Sequence, residues 1–175
     1  HAFGNEKWAA QPWYVEVRVG KQALEGALIP VCQALEIRCT ANKGYSSSST
    51  LYETGKRIEA QVAKGKTVII FYLGDHDPSG LDMTRDVKDR SSLFAGGDVE
   101  VNRLALNIDQ LEALKPSENP TKELDTRAAA YITRLGLSSW ELDAIAPRPL
   151  AHLGNRGGRA PRPPAPCPAP RNRPR

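Results

Sequence analysis

The stretch "TVIIFYLGDHDPSG" at residues 67–80 constrains the fold more than any other part of the chain. Its first half is almost continuously apolar and rich in β-branched and aromatic side chains, so a strand built from it must be covered on both faces. Such strands belong to parallel sheets, whose connections are long crossovers and usually helical. The run then ends abruptly in Asp75 and Asp77, separated by one residue. Gly74 lets the chain turn, while Pro78 and Gly80 fix the exit into a helix expected to begin near Leu81. Ligands of open α/β sheets bind beyond the carboxyl ends of the strands, where these aspartates would lie. Two carboxylates this close repel, and a bound cation would offset the cost. The competing explanation is a turn in which aspartate caps the helix. His76 reads as exposed rather than as a ligand. Asp82 reads as a first-turn residue that complements the helix dipole.

The rest of the chain supplies what such a strand needs. "WYVEVRV" (13–19) alternates and is β-branched, and "IRCTA" (37–41) and "VEVNRLAL" (99–106) read as further strands. Leu24, Leu28, Val31 and Leu35 have helical spacing across 21–36, with Pro30 as a point of kinking. "NKGYSSSS" (42–49) is a loop whose last serines cap the helix over 50–65. Helices are also expected over 107–115 and 125–136, with another opened by "SSWELDAI" and capped by serine. Strands alternating with helices predict an α/β fold with a mostly parallel sheet of about four strands and helices on both faces. Trp13 and Trp140 are expected to anchor core edges. Tyr14, Tyr45, Tyr52, Tyr72 and Tyr131 are read as packing or surface residues.

Charge is distributed unevenly. The formal net charge is +4, but the seven arginines from Pro147 onward carry the surplus, and residues 1–146 hold 17 basic against 20 acidic side chains, a net of −3. A basic overall balance is therefore weak evidence for nucleic-acid binding. Residues 147–175 are rich in Pro, Gly and Arg and cannot bury a core, so a disordered tail is expected. Removing residues from 154 onward should leave the melting temperature nearly unchanged; a large fall would show that the tail docks. Residues 13–146 form the expected domain, and 1–12, which start with His1, read as a lead-in from a truncated upstream region. Cys32, Cys39 and Cys167 have no zinc or disulfide-framework spacing, which suits a reducing cytoplasm. No apolar run approaches the roughly 20 residues needed to span a bilayer, so no membrane association is expected. Ser46 to Ser49 lack His and Asp partners at hydrolase spacing. "NPTKELDTR" places Lys122, Asp125 and Arg127 near one another, where capping and surface pairing explain them better than phosphate contact.

Two hard carboxylates with little else polar beside them suit Mg²⁺ or Mn²⁺, which prefer oxygen ligands and keep several waters. The ordered set of a first strand, a "KGY" loop, an apolar strand and "GDHDPSG" resembles a TOPRIM domain. The likeness is to the A subunit of DNA topoisomerase VI and the related meiotic double-strand-break transesterases. It covers roughly residues 13–107, with a weaker echo at "WELDAI". The resemblance implies that Asp75 and Asp77 are the catalytic and metal-binding pair and that DNA phosphodiesters are the substrate. It also implies DNA or phosphate contacts at Lys21, Lys43, Gly44 and Tyr45. That family carries its tyrosine nucleophile on a preceding winged-helix domain, here expected on a missing upstream domain or partner subunit, and a homodimer is compatible with it.

One position departs from the pattern. The family's glutamate at the end of the first strand, a metal ligand and proton-transfer group, falls on Gly20. Glu16 shares that face but lies about 13 Å back at ~3.3 Å per residue. The resemblance thus implies a Mg²⁺-dependent TOPRIM-type domain acting on DNA phosphodiesters, as a nuclease or topoisomerase-like subunit, with cleavage impaired by Gly20. The alternative is a degenerate module that binds DNA or a protein partner. A receiver-like phosphoacceptor domain is disfavoured, because it needs a separate acceptor aspartate and a later lysine.

Overall fold

The structure is a computed structural model that describes residues 6–41, 48–96, 99–121 and 126–145. In chain order it contains α1 (Glu6–Ala9), β1 (Trp13–Val19), α2 (Glu25–Ala34), β2 (Arg38–Ala41), α3 (Ser48–Val62), β3 (Thr67–Leu73), α4 (Pro78–Ala95), β4 (Glu100–Ala105), α5 (Leu111–Leu114), β5 (Glu118–Pro120), α6 (Ala128–Leu135) and β6 (Ser138–Trp140). The first four strands form one parallel sheet in the order β2-β1-β3-β4. The apolar strand β3 is central, paired over its whole length with β1 from Trp13↔Thr67 to Val19↔Leu73.

Period-two alternation sends β1 and β3 side chains into two cores. Val15, Val17 and Val19 meet Ile69, Phe71 and Leu73 under Leu24, Leu28 and Cys32 of the first crossover. Tyr14, Val68, Ile70 and Tyr72 pack on the other face against Ile58 of α3 and Val87 and Ala95 of α4. The chain is therefore α/β, with helices covering both sides of a four-stranded parallel sheet. Val68 to Leu73 are all buried, and at ~25 cal/mol per Å² of apolar surface removed from water this burial on both faces holds β3 firmly. Trp13 and Trp140 pack at the edge of the first core, as expected. Tyr14, Tyr72 and Tyr131 are buried and Tyr52 is exposed.

Several local expectations are corrected. The helical run 21–36 divides into a 3-10 turn at Gln22–Leu24 followed by α2. Helix α4 begins at Pro78, so Asp82 lies beyond its first turn and pairs with Arg85 and Arg127. "SSWELDAI" opens no helix. Ser138–Trp140 is a strand antiparallel to Glu118–Pro120, and Leu142–Ala144 is a 3-10 turn. Backbone pairing with residues about twenty positions earlier overrides the serine cap, a long-range effect that local patterning does not reveal. Within residues 6–12, the Trp8 indole donates to the Leu35 carbonyl at 2.7 Å and packs on the first core.

Lys43, Gly44, Tyr45, Lys122 and Asp125, together with the tail from residue 146, lie outside the described residues. Among the described residues no helix is long and apolar enough to cross a membrane.

Candidate functional site

Parallel pairing brings the ends of β1 and β3 to the same edge. The Gly20 amide donates to the Leu73 carbonyl at 2.7 Å, so Gly20 and Lys21 lie beside Gly74 and Asp75. Lys21 and Asp75, separated by more than fifty residues of sequence, then meet with Nζ and Oδ2 3.2 Å apart. The other Asp75 oxygen accepts from the Leu142 amide at 2.8 Å. The same lysine lies 3.1 Å from Glu141 Oε2 and 3.0 Å from Asp143 Oδ1. Burial alone would lower the Lys21 pKa, but the hydrogen bonds its ammonium donates to Asp143, Glu141 and Asp75, with the Asp75 charge, raise it well above the ordinary lysine value. Burial pushes the Asp75 carboxyl up, opposed by the Leu142 amide and Lys21.

Asp77 has a second task. Its Oδ1 accepts from the Gly80 amide at 2.5 Å and caps α4. Gly80 is required there because a Cβ at that position would overlap the Asp75 carbonyl oxygen. Capping and metal binding are compatible, since Oδ2 has no partner among the described residues.

His76 is buried, at 4 % exposure, and not exposed as the sequence suggested. Its backbone pairs with Trp140 in both directions, N–H to carbonyl at 2.8 and 3.0 Å. Its ring packs beside Tyr131 and Trp140. Nδ1 lies 3.1 Å from the Leu106 carbonyl, an acceptor only, so Nδ1 carries the proton. Burial lowers the His76 pKa and keeps the ring neutral. The histidine thus docks the 138–143 segment against the loop.

Arg103 of β4 holds the loop from the other side. Its guanidinium donates to the carbonyls of Gly74 (2.9 Å), Asp75 (2.5 Å), Gly80 (3.0 Å) and Leu106 (3.2 Å), and to Thr84 Oγ1. It also lies 5.7 Å from the centre of the Tyr72 ring. Sequence reasoning missed this residue, although an arginine inside the strand pattern "VNRLAL" is the signal that marks it. Glu141 and Asp143 were missed as site residues too, despite lying in the "WELDAI" echo.

The glycine at position 20 is structurally occupied space. A Cβ there would sit 2.9 Å from the Tyr72 hydroxyl and 3.4 Å from Gly74 Cα. Tyr72 leans over Gly74 as well, and its ring would contact a Cβ at that position. Glu16 cannot stand in for the absent carboxylate. It is wholly buried, accepting from Arg57 Nε at 2.5 Å and Nη2 at 3.3 Å and from the Tyr14 hydroxyl at 2.7 Å.

The donors can be weighed against a metal. Mg²⁺ commonly takes one or two carboxylates and keeps its remaining waters. Asp75 already gives one oxygen to the Leu142 amide and the other to Lys21, and Asp77 gives Oδ1 to the Gly80 amide, so such partial coordination would draw on Asp77 Oδ2 and on Asp75 Oδ2 once Lys21 moves aside. Among the described residues no group of three or more His, Cys, Asp or Glu side chains is placed to hold a metal ion. Compared with known protein families and with curated proteins, the chain matches none.

Proposed function

We propose that the chain is a TOPRIM-like domain that binds a hydrated Mg²⁺ or Mn²⁺ weakly through Asp75 and Asp77 and engages DNA phosphodiesters with impaired cleavage. The observation that carries this reading is the convergence of both aspartates and Lys21 at the carboxyl edge of the central parallel strands. When bound, such a metal neutralises charge on phosphate oxygens. Asp75 and Asp77 supply its carboxylates, and Lys21 supplies a positive charge beside a diester. Arg103 fixes the loop backbone from which both aspartates project. No side chain at position 20 can move a proton or hold a second metal.

A second reading, a binding module for DNA or a protein partner without any cleavage, is favoured by Tyr72. Its hydroxyl occupies the space next to Gly20 where a carboxylate would start.

Mg²⁺ titration and plasmid nicking test the proposal. Wild type should bind Mg²⁺ weakly and nick near background. Asp77→Asn should lose Mg²⁺ binding while keeping its fold, because asparagine caps helices as well as aspartate does. Gly20→Glu combined with Tyr72→Phe should raise Mg²⁺ affinity and nicking about tenfold, as a further carboxylate and general acid/base returns. Gain in Mg²⁺ affinity without nicking would select the binding module. Robust cleavage unaffected by Asp77→Asn would overturn the assignment of the chemistry to these aspartates.

A further inference from the structure

The Lys21 ammonium is held as a cation would be. Carboxylates from two separate segments, Asp75 after β3 and Glu141 with Asp143 before and within the last 3-10 turn, meet it at 3.0–3.2 Å. Its backbone is anchored next to Gly20, whose amide bonds to β3, so the ammonium has a short tether. The lysine side chain is only 29 % exposed. These four side chains together carry a net charge of −2, so the ammonium leaves the cluster under-neutralised. Mg²⁺ requires oxygens at about 2.0–2.1 Å in octahedral geometry, much closer than an ammonium holds them. Ion and ammonium therefore cannot both occupy the same side of Asp75.

We propose that Lys21 is a tethered counter-ion that competes with Mg²⁺ for Asp75 and thereby sets the metal affinity of the site. The inference rests on reading Asp75 and Asp77 as a metal-binding pair. Mg²⁺ binds only as Lys21 withdraws from Asp75 Oδ2. Glu141 and Asp143 then decide where the ammonium goes, because they remain available to it at the rim. The arrangement keeps the carboxylates ordered without metal and makes metal binding costly.

Mg²⁺ titration by calorimetry, with melting temperatures measured with and without the ion, tests this on the full chain. Lys21→Met should bind Mg²⁺ about tenfold more tightly than wild type, because a competing unit charge close to Asp75 is gone. Its melting temperature should fall without Mg²⁺ and rise more steeply with added ion than that of wild type. Lys21→Arg, which keeps the charge, should remain near wild-type affinity. If Lys21→Met does not fold, Lys21→Gln takes its place, since it still donates to the carboxylates. Equal or weaker Mg²⁺ binding by the neutral variant, with wild-type binding still lost in Asp77→Asn, overturns the counter-ion and leaves the site reading standing. Absence of Mg²⁺ binding in both wild type and the neutral variant overturns both.

Discussion

Replacing Arg57 by methionine is expected to destabilise the fold by about 3–5 kcal/mol, the usual cost of stranding one member of a buried ion pair. Glu16 is wholly buried beneath α3, and Arg57 supplies two of its hydrogen bonds. Burial alone would raise the Glu16 pKa. Arg57, then Arg18 and Tyr14, more than offset this and hold the carboxyl below the ordinary glutamate value. A depressed carboxylate pKa contributes stability above the range in which a free glutamate titrates, and that contribution is lost as pH falls through the folded value. In Arg57→Met the balance reverses: burial raises the Glu16 pKa, so the variant's deficit should shrink on acidification. Replacing Glu16 and Arg57 together by leucine should recover only part of the loss. Arg18 is buried, 3.7 Å from Glu16, and its Nη2 already lacks a hydrogen bond. Urea titration at neutral and acidic pH measures all of this. A loss below about 1 kcal/mol at neutral pH would show that the pair is effectively solvated.

Arg103→Met is expected to cost about 3 kcal/mol and to weaken Mg²⁺ binding at the same time. The methionine fills similar space but donates nothing to the carbonyls that the guanidinium gathers. The Gly74 carbonyl keeps the Leu106 amide at 2.7 Å, so it is not orphaned. The Asp75 carbonyl loses its charge-assisted donor, and such bonds are worth roughly 1.5–3 kcal/mol each. The loop carrying Asp75 and Asp77 would relax, which separates this residue from an ordinary core position. Urea titration and Mg²⁺ calorimetry on the same variant provide the check. A stability loss with unchanged metal affinity would assign Arg103 to the fold alone.

The parts of the fold that were legible in the sequence are those governed by local pattern. The apolar run of β3 and the alternation in β1 determine a covered parallel sheet, and Gly74 and Pro78 determine where the aspartates leave it. What local pattern could not supply were partners from distant segments. The β5–β6 ribbon exists because residues 118–120 and 138–140 satisfy one another's backbone, and His76 is buried because Trp140 pairs with it. Charged residues inside strands were the underused signal. Glu16, Arg18 and Arg103 interrupt otherwise apolar segments, and each is held by specific polar partners in the structure. The site itself draws on Lys21, Asp75, Arg103 and Glu141, and no spacing rule connects residues so far apart in sequence.

The Tyr72 side chain, lying over Gly20 and Gly74, ties two positions into one unit of sequence variation. Glutamate and glycine codons can differ by a single base, yet a glutamate side chain at position 20 meets a phenol already filling the space. The effect of either substitution then depends on the residue at the other position, and additivity fails for neighbours in contact. A path through sequence space to an acidic residue at position 20 passes through a crowded intermediate unless position 72 changes first. Scoring these sites one at a time would misjudge both.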